Sequence, residues 1–204
     1  MVIGGGPGGY AAALYGTAAG LHCAVVERDK VGGTCLHRGC IPTKAMLHAA
    51  EVADTARHAA AIGVDLGEPS IDLGRVAAYR QGVVDRLFKG LTGLVKGRGI
   101  EVVAGEGRVV DASSVAVGDR VIRGRHLVLA TGSVPKVLPG IALSERVVTS
   151  DGALALTTVP ERVVVLGGGV IGVEFASVFA SFGAQVTVVE ALPRLVAAED
   201  PALS

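Results

Sequence analysis

Laid on itself with a shift of 163 residues, the chain repeats one pattern twice. Val2-Ile3-Gly4-Gly5-Gly6 through Val25-Val26-Glu27 overlies Val165-Leu166-Gly167-Gly168-Gly169 through Val188-Val189-Glu190. The glycines of the first copy, Gly4, Gly6, Gly9 and Gly20, have counterparts at Gly167, Gly169, Gly172 and Gly183, so five positions including the closing carboxylate agree. Each copy reads as an apolar strand, a glycine turn, a helix of small residues, a glycine stop, a second apolar strand and an acid. That order is a βαβ unit of the kind that holds dinucleotides. The first glycine allows the tight turn, the second admits a pyrophosphate, and the third lets helix pack closely on strand. Phosphates then meet N–H groups at the helix N-terminus, and the carboxylate is placed to accept hydrogen bonds from ribose hydroxyls. A lone glycine turn is weak evidence in a chain with 30 Gly, but two full copies imply two dinucleotides, or one and its redox partner.

Composition agrees with an α/β fold. The apolar half of the chain is Val, Ala and Leu with only 3% aromatics, as suits parallel strands buried on both faces. The 19 basic and 19 acidic residues cancel, which leaves no basic footprint for nucleic acid and no attraction to anionic membranes. The first 26 residues carry no Asp, Glu, Lys or Arg. They also have no basic leader region, and the glycine turn breaks them after Ile3, so neither an export signal nor a membrane span fits. A cytoplasmic protein is expected.

Between the copies, residues 44–62 are Ala-rich and helical in period. Val76, Tyr79, Val83, Leu87, Leu91 and Leu94 mark an amphipathic helix that Ser70 or Asp72 could cap. Short strands follow at 100–104, 108–110, 115–117 and 121–122, read together as a small antiparallel unit, and residues 126–130 as another buried strand. Pro135, Pro139-Gly140 and Pro160 place a boundary near 140–155. The expected division is 1–145 and 146–204.

Of three cysteines, Cys23 lies alone in an apolar strand and reads as a packed thiol. Cys35 and Cys40 form a C-x4-C pair directly after the first nucleotide-binding unit. A structural disulfide is not expected in a chain without an export signal. On an ideal helix, residues five apart have Cα atoms roughly 8.5 Å apart, beyond the ~7 Å that a disulfide bridges. The segment must therefore leave ideal helix, and Gly39 and Pro42 permit it. Cys35, His37, Cys40 and His48 match none of the usual zinc spacings, so no metal is expected.

The run Gly33-Thr34-Cys35-Leu36-His37-Arg38-Gly39-Cys40-Ile41-Pro42-Thr43-Lys44, flanked by two dinucleotide fingerprints, resembles the pyridine nucleotide-disulfide oxidoreductases. Within that family it looks most like the dihydrolipoyl dehydrogenases. Gly105-Glu106-Gly107, Ala130-Thr131-Gly132-Ser133 and Gly168-Gly169-Val170-Ile171-Gly172-Val173-Glu174 extend the likeness along the chain. The resemblance implies a flavoprotein with FAD in the first fingerprint (Gly4, Gly6, Gly9), Glu27 on the adenosine ribose, and Gly33, Thr34, Lys44, Gly107, Thr131, Gly132 and Ser133 lining the flavin. It implies NAD at Gly167, Gly169, Val170, Ile171, Gly172 and Glu190. A carboxylate at Glu190 suits a free 2′-hydroxyl over the phosphate of NADP, although Arg194 argues weakly the other way.

By the same resemblance Cys35 and Cys40 form the redox-active disulfide, Cys35 exchanging with substrate and Cys40 meeting the flavin, while Lys44 pairs with Glu174. The implied activity passes electrons from dihydrolipoamide, carried on a lipoyl domain, through that disulfide and FAD to NAD, in a homodimer. His37-Arg38 stands where many members carry Asn-Val. Members also continue into a dimer-interface domain with a His-Glu acid/base pair acting on the partner's thiols. This chain is therefore expected to be an N-terminal fragment, shortened at both ends and inactive alone. Glutathione or mercuric reductase is the alternative within the class. A non-catalytic flavin-binding or redox-sensing module is the alternative outside it.

Overall fold

A computed structural model describes Met1–Ser204. In chain order it contains β1 (Val2–Ile3), α1 (Pro7–Ala18), β2 (Ala24–Glu27), α2 (Gly33–Arg38), α3 (Cys40–His58) and a 3-10 turn at Ala59–Ile62. Then come α4 (Leu73–Gly97), β3 (Glu101–Ala104), β4 (Gly107–Asp111), β5 (Ser114–Val117), β6 (Arg120–Arg123) and β7 (Val128–Leu129). The last elements are α5 (Ser150–Leu154), β8 (Arg162–Leu166), α6 (Val170–Ser181), β9 (Gln185–Val189) and a 3-10 turn at Pro201–Leu203. The chain forms two compact units, Met1–Ile41 with Val84–Lys136, and Pro42–Val83 with Val137–Ser204. No helix is long and apolar enough to cross a membrane.

In the first unit four parallel strands run in the order β3-β2-β1-β7, with Val2 opposite both Val25 and Val128. Successive side chains on a strand point to opposite faces, and here both faces are covered. Val2 and Val25 pack with Ala13 of α1 and Val95 of α4, while Ile3 and Val26 pack with Val103, Val115 and Val117. The second cover is the three-stranded antiparallel sheet β4-β5-β6. This explains why the Val runs of β1 and β2 show no polar alternation. The strand expected at 100–104 joins the parallel sheet beside β2 and not the antiparallel unit, which has three strands. The strand read as buried at 126–130 is an edge, with Val128 40% and Leu129 66% exposed, because only β1 pairs with it.

The second unit places the parallel pair β8-β9, from Arg162 opposite Gln185 to Leu166 opposite Val189, with α6. Its core gathers Phe175, Phe179 and Phe182 with Met46, Ala50, Leu73 and Leu154. The α/β fold with two glycine-turn βαβ units and a small antiparallel sheet is thus as the sequence pattern requires. Both copies end their helices the same way. Leu21 N–H donates to Gly16 O and Gly20 N–H to Thr17 O, and Ala184 and Gly183 repeat this on Phe179 and Ala180. These are Schellman closures, with Gly20 at φ +82° and Gly183 at +100°. Asp72 caps α4 by accepting from Arg75 N–H at 3.0 Å.

A polar bridge joins α3 to α6 inside the second unit. Ser181 Oγ donates to Asp54 Oδ2 at 2.6 Å, and Arg57 donates to both Asp54 Oδ1 (3.0 Å) and Ser181 O (2.7 Å). Ser181 is buried, so a partner lost there leaves its hydroxyl unsatisfied. Asp54→Ala is therefore expected to lower stability by about 1–3 kcal/mol. In urea unfolding, Asp54→Ala/Ser181→Ala should cost less than the sum of the single changes, and additive costs would remove the bridge from the account.

Candidate active site

The glycine turns are built by contact distances. Gly4 and Gly167 occupy the left-handed region, at φ +99° and +104°, where residues with a β-carbon are strained. A β-carbon on Gly9 would lie 1.7 Å from Gly4 O, and one on Gly172 would lie 2.0 Å from Gly167 O. Each helix therefore starts against the backbone of the strand that precedes it. Gly6 and Gly169 are the extended N-cap residues of α1 and α6, and Val170 and Ile171 open α6 with exposed side chains.

The carboxylates close both turns in the same way. Glu27 Oε2 accepts from Gly5 N–H at 2.6 Å and Oε1 from Asp29 N–H at 2.8 Å. Glu190 Oε2 accepts from Gly168 N–H at 2.7 Å and Oε1 from Leu192 N–H at 2.8 Å. Gly4 N–H also donates to Val26 O, and Gly167 N–H to Val189 O, each at 2.8 Å. Both oxygens of each carboxylate accept from backbone amides, and with about four lone-pair sites per carboxylate each keeps capacity for hydroxyl donors. The glycine spacing and the unused carboxylate positions fit a dinucleotide's pyrophosphate and ribose. The middle residues Gly5 and Gly168 act through backbone N–H groups, which leave no side-chain signal in the sequence beyond their matching offsets.

The amides of Leu192, first, and Gly168 hold the Glu190 carboxyl below the usual carboxylate range.

Three segments of the first unit converge at the carboxyl end of its parallel strands. Gly33 opens α2 against Gly6, where a β-carbon would come within 2.7 Å of Gly6 Cα, and Gly32 N–H donates to Gly5 O at 2.7 Å. The chain leaving β7 passes Gly4 at Ala130 and Thr131, which carries the exposed Thr131, Gly132 and Ser133 past the glycine turn. Thr34, exposed, and Cys35, half-buried, follow on α2. Gly107 lies apart from this cluster, in the interior between the two sheets, facing Val26, Ile3 and Val115.

The expected break between the cysteines is present. α2 ends at Arg38, Gly39 turns the chain at φ −133° and ψ −115°, and α3 begins at the exposed Cys40. A β-carbon on Gly39 would press on Thr34 O at 3.0 Å. All three cysteines are thiols here, and Cys23 is half-buried against Gly16. In the second unit Lys44 Nζ donates to Glu174 Oε1 in an ion pair. Arg194 is committed elsewhere, donating to Ala197 O, Glu199 O and Ser204 Oγ.

The family described as pyridine nucleotide-disulphide oxidoreductase matches residues 1–204. A dihydrolipoyl dehydrogenase of Pseudomonas aeruginosa is 43% identical over 212 residues, covering 100% of this chain and 46% of the relative. Dihydrolipoyl dehydrogenase 2 of Haloarcula marismortui is 44% identical over 200 residues, covering 94% and 42%. Among solved structures, the HOCl-induced flavoprotein disulfide reductase RclA of Escherichia coli gives a TM-score of 0.81 at 32% identity, over 98% of this chain and 43% of that one. The chain spans about half the length of the curated relatives it matches.

Two outcomes follow from the turns. Gly9→Ala should cost several kcal/mol or prevent folding, since its β-carbon meets backbone, while Gly90→Ala in α4, with nothing within 4 Å, should gain about 0.5–1 kcal/mol. Equal midpoints for the two in urea unfolding would refute the contact. For Glu190, a folded pKa below the unfolded one means that its ionised form stabilises the fold above the ordinary value of about 4.3, and this is lost as pH falls through the lower folded value. Carboxyl NMR should titrate Glu190 below that ordinary value, and Glu190→Gln should flatten its share of the acid limb.

Proposed function

The chain belongs to the pyridine nucleotide-disulphide oxidoreductase family, and from this we propose that it carries the FAD-binding part (1–145) and the first part of the NAD-binding region (146–204) of a dihydrolipoyl dehydrogenase. The observation that carries the reading is the pair of carboxylate-latched glycine turns, one of them beside a helix broken between two cysteines. A dithiol substrate, dihydrolipoamide on a lipoyl domain, meets Cys35 and Cys40 as a disulfide. One substrate thiolate attacks Cys35 Sγ, the Cys35–Cys40 bond breaks, and Cys40 leaves as thiolate. The second substrate thiolate then displaces Cys35, so the substrate departs as a cyclic disulfide and two electrons remain on the cysteine pair. Such exchange depends on thiolate fraction and on the leaving thiol's pKa.

FAD, when bound, supplies a two-electron acceptor between that dithiol and nicotinamide. Gly4, Gly6, Gly9, Glu27, Gly33, Thr34 and Thr131–Ser133 hold it, and Gly167, Gly169, Gly172 and Glu190 hold NAD. Lys44 and Glu174 keep a paired cation four residues after Cys40. NAD is favoured over NADP because a carboxylate at Glu190, latched to the Gly168 amide, suits a free ribose 2′-hydroxyl and would repel a phosphate, and because Arg194 is occupied by the carbonyls of Ala197 and Glu199. Work as a homodimer in the cytoplasm, where thiol pairs stay reducible, completes the reading.

The test is anaerobic titration of the FAD-reconstituted chain with dihydrolipoamide. Wild type should retain flavin and develop a long-wavelength thiolate-to-flavin band, Cys40→Ser should lose that band, and Cys35→Ser should keep it. A chain that holds no flavin, or whose band survives Cys40→Ser, contradicts the assignment.

A further inference from the structure

Helix α2 has six residues, too few to hold its own shape in water, so contacts outside the helix set where Cys35 stands. Leu36 supplies one by its burial, its side chain folded over the N-cap residue Gly32. His37 supplies the other two. Its Nε2 lies 3.0 Å from Val31 O, and since a carbonyl only accepts, that nitrogen carries the hydrogen. Its ring meets the Phe88 ring of α4 edge-on, with centroids 5.0 Å apart at 72°. Val31 is buried, and the next residue, Gly32, donates to Gly5 in the glycine turn. His37 therefore ties the segment between the cysteines to the backbone that shapes the dinucleotide turn. The neighbouring Arg38 reaches Asp29 only at 3.6 Å, with both side chains about half exposed, a pairing of little consequence in water.

We propose that His37 is a positioning residue for the Cys35–Cys40 pair, holding α2 so that the two sulfurs close into a disulfide across the Gly39 break. The proposal rests on the redox reading above. Without the donor, α2 samples orientations in which Cys35 is turned from Cys40, and closure becomes less favourable while the surrounding fold stays in place.

The experiment equilibrates the 204-residue chain with mixtures of oxidised and reduced glutathione and quantifies the Cys35–Cys40 disulfide by alkylation and peptide mass. In the step measured, the S–S bond of glutathione disulfide breaks and one forms between Cys35 and Cys40. Two electrons and two protons pass from the cysteines to two glutathione thiols. His37→Phe keeps a ring near Phe88 and removes the donor; His37→Gln restores an N–H donor. His37→Phe should lower the closure constant about threefold to tenfold, the weight of one ordinary hydrogen bond, and His37→Gln should return it to within about twofold of wild type. Thermal midpoints should fall by no more than about 2–4 °C, so the fold itself persists. If His37→Phe does not fold, His37→Asn, whose amide is too short to reach Val31 O, takes its place with the same expectation. Closure constants unchanged by loss of the donor, or a loss that His37→Gln does not restore, overturn the positioning role. A wild-type chain that closes no Cys35–Cys40 disulfide at any ratio overturns the redox reading along with it.

Discussion

A carbonyl oxygen stands where a side chain would have to be. Gly4 O and Gly167 O occupy the space of a β-carbon on Gly9 and Gly172, and that approach lets each helix start directly over its strand. With a larger residue the helix would swing away, and the following strand would lose the register that pairs Val25 with Val2 and Val188 with Val165. The carboxylate ending that strand could then not reach the amide of Gly5 or Gly168. The turn, the strand pairing and the acidic latch are one geometric unit, which is why its residues recur together at fixed offsets.

The same unit sits in two surroundings. In the first, helices cover one face of the strands and an antiparallel sheet the other, and β1 and β2 are buried almost throughout. In the second, β8 and β9 alternate between exposed and half-buried, with Val164 and Leu166 on the open face. The turns are nonetheless alike to within about 0.1 Å in their carboxylate bonds. Local hydrogen bonding, rather than the depth of the surrounding core, therefore sets the turn geometry.

What the sequence made legible was whatever a side-chain pattern encodes. The repeat announces both βαβ units, the 3-to-4 spacing from Val76 to Leu94 announces α4, and of the two cap candidates, Ser70 and Asp72, the structure uses Asp72. The Gly39 break followed from a distance that an ideal helix cannot meet. Illegible were features carried by backbone or by distant partners. Nothing in Glu101–Ala104 states whether its neighbour is β2 in parallel or β4 in antiparallel, because a short Val run satisfies either. Nor does Val128-Leu129 declare itself an edge. The motif that marks Gly107 likewise does not state that its neighbours are Val26, Ile3 and Val115 between the two sheets.

The thiol segment shows how the two kinds of information meet. Cys35 and Cys40 are exposed to different degrees on two helices that the non-helical Gly39 separates. Their separation is therefore not a property of helix geometry, and any redox partnership between them depends on how firmly the shorter helix is held. Burial of Leu36 restrains α2 along one side but is non-directional, so it leaves rotation about the helix axis open. A hydrogen bond from His37 to a carbonyl in the segment joined to the glycine turn is directional. It removes that remaining freedom, so the orientation of the thiols and the shape of the nucleotide turn are set by one stretch of backbone, residues 31–33.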